Sequence, residues 1–198
     1  VDNVRNLRVP ALRQIRRLAD RPGLAFYTNE NLLVPRNRSR FQESQWSLYD
    51  LFFVTNPNIS IGLKELGVRH VYFVGFTYDR EKHRPLSPDE VGPEYEQYDV
   101  CFSGTFEAER QASLNFLAEN GISVDIRGVG WNVQDMHPNI RLNPPVYGDD
   151  YTKSLHTGKL SLCFLRKGSH DKITRRSFEL TASGRPMLAE KTPEHDKE

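Results

Sequence analysis

Seven short runs of aliphatic, aromatic and β-branched residues do most to constrain this chain: Leu24 to Tyr27, Leu51 to Thr55, Val71 to Val74, Val100 to Ser103, Ser123 to Ile126, Leu160 to Phe164 and Pro186 to Ala189. Most are continuously apolar and do not alternate, which is how a strand covered on both faces of a parallel sheet looks. Between them lie stretches of helical period. Ile59, Leu63 and Leu66 share one face, closed by Gly67; Leu114 and Leu117 share another, closed by Asn120 and Gly121. Strand alternating with helix predicts an α/β fold, doubly wound around parallel sheets.

The pattern is interrupted once. From Asp79 to Tyr98 the chain carries three prolines, a glycine and few apolar residues, the composition of a linker or a long surface loop. Boundaries are therefore drawn at 1–88, a linker at 89–97, and a second domain at 98–198. The first domain holds three of the strands, and the second opens with a β-loop-α unit ending at Gly104-Thr105. Two Rossmann-like units flank a cleft in this reading. Ligands in such sheets sit at the carboxyl ends of the strands, so Gly104, Thr105 and the segment from Asp171 to Glu179 are expected to face it.

Composition excludes several classes. The longest apolar runs fall far short of the ~20 residues that a membrane-spanning helix needs, and the N-terminal stretch is broken by arginines, unlike a signal peptide. Cys101 and Cys163 lie inside apolar runs and are expected as buried, reduced thiols. These features point to the cytoplasm. The formal net charge of +1 gives no global commitment to nucleic acid or acidic lipid. Residues 1–40 do hold nine arginines against Asp2, Asp20 and Glu30. They are expected to form the solvated face of a helix, with Leu12, Ile15 and Leu18 inward and Arg13, Arg16 and Arg17 outward; an anionic acceptor or partner surface is the other reading.

The segment richest in chemistry is Asp171-Lys-Ile-Thr-Arg-Arg-Ser-Phe-Glu179, ahead of Gly184 and Pro186. A helix from Thr174 to Ser183 offers unpaired N–H groups and a positive dipole end in its first turn, a seat for a diphosphate. Arg175 or Arg176 adds charge and a fork of donors. Neighbours on a helix diverge by ~100°, so one of the two points elsewhere. Glu179, one turn further in, accepts hydrogen bonds from neutral hydroxyls and suits a ribose; a solvent-facing helix residue is the plain alternative.

Several segments together resemble a known family. Tyr98 to Arg110, Val146 to Tyr151, Arg176 to Gly184 and Met187 to His195 look like the C-terminal domain of CgeB-like (spore maturation protein-like) glycosyltransferases. These belong to the group 1 set with the GT-B fold. Phe26 to Glu30, Tyr49 to Asn56, Leu63 to Val68, and Phe76 to Asp79 with His83-Arg-Pro85, look like the end of that family's N-terminal domain. The resemblance implies two Rossmann-like domains, the first on the acceptor side and the second binding the donor. It implies metal-independent transfer of a sugar from a nucleotide-sugar co-substrate, with no further cofactor, to an acceptor that is a glycan, a protein or a small molecule. The wider group carries a Glu-x7-Glu pair, to which Asp171 and Glu179 correspond: Glu179 for the ribose, and Asp171, shorter than the usual Glu, near the sugar. Gly104 matches the glycine after the first strand of the donor domain, with Thr105 beside it; Thr174, Arg175 and Arg176 complete the expected donor contacts.

No general base is assigned. Asp149 and Asp150 read as a helix N-cap, His156, His170 and His195 lack metal-ligand spacing, and His170 attracts interest only as the neighbour of Asp171. Trp131 is either a stacking platform for a base or a core anchor. Asn29, Glu30 and Asn56 are acceptor contacts or turn caps. With a first residue other than Met and few strands before the hinge, the chain reads as a fragment, binding nucleotide weakly and not turning over alone. Two other classes stay open: a non-catalytic nucleotide-sugar-binding module or degenerate transferase, and, on the arginines of residues 1–40 alone, a nucleic-acid-binding protein.

Overall fold

A computed structural model describes residues 8–18 and 23–197. The chain divides into two compact units, one running up to Phe76 and including Arg166–Asp171, the other comprising Thr77–Leu165 and the chain from Lys172 onward.

In the first unit, helix α1 (Val9–Ile15) precedes strand β1 (Ala25–Thr28), a short helix α2 (Arg40–Glu43), β2 (Leu51–Val54), α3 (Pro57–Glu65) and β3 (Val71–Phe73). The strands form a parallel sheet in the order β1-β2-β3, with Phe26 beside Phe52 and Phe52 beside Val71. Helix α3 shows why the sequence folds as it does. The Asn56 side chain caps it by accepting from the Asn58 N–H at 2.9 Å, Ile59 and Leu63 lie one turn apart and are buried, and Gly67 at φ +88° ends it. Leu66, expected on the same face, is 51% exposed: it falls at the C-cap, where the helical face no longer meets the sheet. Phe26, Leu32, Phe52, Val54 and Val71 complete this core.

The arginine-rich helix also departs from expectation. Leu12 is buried, but Leu18 lies past the end of α1 and is exposed. Arg16 does not face water alone. Its Nε donates to the Leu48 carbonyl at 2.9 Å and its Nη2 pairs with Asp50, so part of the positive charge is consumed within the fold.

The second unit contains α4 (Pro88–Val91), β4 (Tyr98–Ser103), α5 (Ala108–Glu119), β5 (Val124–Arg127), β6 (Ile140–Asn143), α6 (Gly148–Ser154), β7 (Gly158–Cys163), α7 (Arg175–Ala182) and β8 (Met187–Ala189). Its five strands are all parallel, in the order β6-β5-β4-β7-β8. Numbered from β4, this is 3-2-1-4-5, the order of a doubly wound nucleotide-binding sheet, whose order of succession reverses between β4 and β7. Successive side chains of β4 take opposite faces. Val100 and Phe102 join Leu114, Ala118, Val124, Ile126 and Leu162 in one cluster, while Leu155, Cys163 and Leu180 form another with Tyr151 packed against it. Cys101 and Cys163 are buried and unpaired.

The polar stretch ahead of β4 is built onto this unit as a strap. Ser87 and Glu90 form a reciprocal cap on α4. The Leu86 N–H donates to Nε2 of buried His156 at 3.1 Å, and the Glu96 N–H donates to the His156 carbonyl at 2.8 Å. Arg185, 8% exposed, donates to the Gly158 carbonyl at 2.6 Å and to Glu96 at 3.1 Å, and covers the Tyr95 ring.

Candidate functional site

Past the ends of β4 and β5, two glycines bring bare backbone together. The Gly104 N–H donates to the Arg127 carbonyl at 2.8 Å, and Trp131 Nε1 donates to the Gly104 carbonyl at 3.0 Å. A methyl at Gly128 would overlap the Gly104 carbonyl oxygen and stand 2.8 Å from its carbon; one at Gly104 would lie 2.7 Å from Phe102 Cζ. Neither glycine is left-handed. They are therefore small for want of space, not for conformational freedom. Trp131, 7% exposed within the core, is the anchor that fastens the two loops.

These loops, with Tyr147 and Tyr151 from the start of α6 and Arg176 from α7, line a cavity of about 310 Å³, near the lower end for small-molecule sites. Two cations line it. Arg127 is neutralised, its Nε donating to buried Asp125 at 3.1 Å and its Nη2 to Glu94 at 2.6 Å. Arg176 has no carboxylate partner among the described residues, its Nε is buried without a hydrogen bond, and its guanidinium rests over the Phe102 ring at 5.4 Å. The uncompensated charge in the cavity is thus Arg176's. Arg175, one residue earlier, is exposed and is not part of the lining.

Glu179 stands one turn further along α7 and is 9% exposed, not solvent-facing. Its Oε2 accepts from the Tyr151 hydroxyl at 2.6 Å, and its Oε1 lies 3.8 Å from His83 Nε2. The Asp79 N–H donates to His83 Nδ1 at 3.0 Å, which places the neutral ring's proton on Nε2, facing Glu179. Burial, with Glu179 adding to it against an opposing pull from Arg176, pushes the Tyr151 phenol up to about 12; it remains a proton donor to Glu179 at neutral pH.

The remaining expected residues are placed as follows. Thr105 is exposed on the cavity rim, and its carbonyl accepts from Arg110 Nη1 at 3.0 Å. Thr174 is the extended N-cap of α7; its N–H donates to Ser177 Oγ at 3.4 Å and its hydroxyl lies against Cys163. Asp171 belongs to the first unit, where its Oδ2 accepts from Arg166 Nε at 2.8 Å and the same guanidinium reaches Glu30 at 3.3 Å. His170 is exposed, with φ +54°. Asp149 and Asp150 are not the N-cap of α6: Tyr147 is, and the two acids lie in the exposed first turn, where they complement the helix dipole. Among the described residues no three His, Cys, Asp or Glu side chains cluster so as to hold a metal ion, and no helix is long and apolar enough to cross a membrane.

Sequence reasoning missed Gly128, Tyr151 and His83. Gly128 had a signal, a glycine directly after a strand at the same level as Gly104. Tyr151 and His83 fall within segments that carry the resemblance, but nothing in the sequence ties them to Glu179: the link spans 28 residues for Tyr151 and arises only when α6, α7 and the strap fold together.

Residues 105–198 match a family model described as glycosyl transferase-like, a stretch of just under half the chain. No curated protein sequence matches significantly. Among solved structures, a sucrose-phosphate synthase from Thermosynechococcus elongatus is similar at 11% identity and a TM-score of 0.55, covering 83% of this chain and 49% of that one. An alpha-glucosyltransferase in complex with UDP-glucose and DNA containing an abasic site is similar at 12% identity and a TM-score of 0.58, covering 90% of this chain and 55% of that one. The chain spans about half the length of these structures. What is shared at such identity is the fold: parallel-sheet α/β of the GT-B type.

Proposed function

We propose that this chain is part of a metal-independent glycosyltransferase of the CgeB-like kind, which moves a sugar from a nucleoside-diphosphate donor to an acceptor hydroxyl. One observation carries the reading. A cavity at the carboxyl ends of β4 and β5 combines two glycine-closed loops, the uncompensated Arg176 and, through Tyr151, the buried carboxylate of Glu179.

Each part answers a need of the reaction. The glycines let the two loops close on each other and so shape the cavity wall beside Arg176. Arg176 and the first-turn N–H groups of α7 meet the charge that grows on the leaving diphosphate as the glycosidic bond breaks, the role a metal would otherwise fill. Glu179 accepts from ribose hydroxyls. Asp171 keeps the role at the sugar that the resemblance implies, its carboxylate oriented by Arg166; residues 1–88 then belong to the acceptor side. No side chain is assigned as general base.

A thermal-shift panel with UDP, GDP, dTDP, CDP and ADP, run beside Glu179→Ala, tests the reading. A nucleotide at ~100 times its dissociation constant stabilises the fold by ~2.7 kcal/mol. The expected result is a shift with one nucleotide that Glu179→Ala abolishes; no shift with any of the five would defeat the proposal. A donor that binds yet is neither transferred nor hydrolysed would identify a nucleotide-sugar-binding module instead.

A further inference from the structure

Arg176 and Glu179 are three residues apart on one helix, the spacing at which opposite charges normally meet. Elsewhere in this unit that spacing closes: Glu107 and Arg110 pair at 3.1 Å. Arg176 and Glu179 do not. The Tyr151 hydroxyl instead takes Oε2 of Glu179 at 2.6 Å, and the charges of Arg176 and Glu179 both act on that phenol. Tyr151 arises from a different helix and lines the cavity beside Arg176 and Gly104. On the far side, His83 faces the other carboxylate oxygen, with its ring fixed by the Asp79 N–H.

We propose that Tyr151 is a positioning residue that keeps Arg176 and Glu179 apart, leaving the guanidinium for a diphosphate and one carboxylate oxygen for a ribose hydroxyl. The inference rests on the donor-site reading given above and assigns its division of labour. With the phenol absent, the carboxylate is free to turn toward the guanidinium. The resulting internal ion pair would occupy both groups that the ligand requires. Tyr151 thus sets two properties together: affinity for the diphosphate, and preference for ribose over deoxyribose.

The test is a double-mutant cycle on the whole chain, read by calorimetric binding of inorganic pyrophosphate, and of ADP, GDP and UDP against their 2′-deoxy forms. Tyr151→Phe is expected to weaken pyrophosphate binding about fivefold, the order of an ion pair's competition, and to erase the ribose preference. Adding Glu179→Gln removes the competitor, so the double variant should regain pyrophosphate binding while still failing to distinguish ribose. A purely structural tyrosine would give no such rescue: equal losses in the single and double variants, or an unchanged Tyr151→Phe, overturn the inference. Glu179→Gln alone supplies a check that does not depend on how Tyr151→Phe folds, because it must bind pyrophosphate at least as well as the parent chain, and weaker binding would refute the competition. A parent chain that binds neither pyrophosphate nor any nucleotide overturns both this inference and the donor-site reading. Failure of the cycle with nucleotide binding intact overturns only the inference.

Discussion

Gly128→Ala puts one methyl where two loops already touch. The added carbon would overlap the Gly104 carbonyl oxygen and lie 2.8 Å from its carbon and 3.1 Å from Trp131 Nε1. The obstacle is backbone, which cannot rotate out of the way. It is held from both sides, by the 2.8 Å bond from the Gly104 N–H to Arg127 and the 3.0 Å bond from Trp131, above a Phe102 ring that is 2% exposed. Overpacking a tight site costs about 1–3 kcal/mol, and breaking the Trp131 bond adds about 1 kcal/mol. The sum, roughly 2–4 kcal/mol, corresponds to a fall in Tm of about 4–16 °C for a chain of this size. Thermal melts followed by circular dichroism would measure it, with Gly23→Ala as control, since nothing lies within 4 Å of a methyl there. Because both displaced loops line the cavity, nucleotide binding should fall with stability. A Gly128→Ala chain that melts within 2 °C of its parent and binds nucleotide normally would show that the close approach does not exist.

Arg176→Gln should weaken nucleoside-diphosphate binding by about 1.5–3 kcal/mol, with a smaller loss in Arg176→Lys, which keeps charge but not the fork; equilibrium dialysis decides. Burial holds the His156 imidazole below its ordinary pKa, although its bond to the Thr152 carbonyl opposes this. The unfolded chain therefore takes up the proton first: the stability from neutral His156 is complete above about pH 6.5 and is lost as pH falls toward the depressed folded value. Denaturant titrations between pH 8 and pH 5 should show that loss, and His156→Gln should flatten it. Arg185→Lys should cost about 2–4 kcal/mol, because an ammonium cannot span both the Gly158 carbonyl and Glu96; urea melts would register it.

What the sequence made legible followed from burial on both faces. Val100 to Ser103 and Leu160 to Phe164 announce themselves as central strands because neither side meets water, and Gly67 and Gly121 mark helix ends because only a left-handed residue fits there. Strand β6, Ile140-Arg-Leu-Asn143, went unseen: it is an edge strand, its burial falls away after Ile140, and its polar residues hide the period. In the site, Gly104 and the two arginines could be found from position alone. Which arginine enters the cavity could not, nor that Arg127 is silenced by Asp125 and Glu94, because compensation of charge is a property of packing. The phenol between Arg176 and Glu179 is of the same kind.

The strap from Thr77 to Gln97 has a consequence for where such a half is divided from its neighbour. Its residues supply the acceptor for Arg185, one of the two carboxylates on Arg127, the donor to His156 and the imidazole facing Glu179. A cut at the visible start of the sheet, Tyr98, severs all four at once and leaves Arg127, Arg185 and His156 each short of a partner. Recombination between related chains would then preserve the second unit intact only when the crossover falls ahead of Thr77, so that the clasp travels with the sheet it closes.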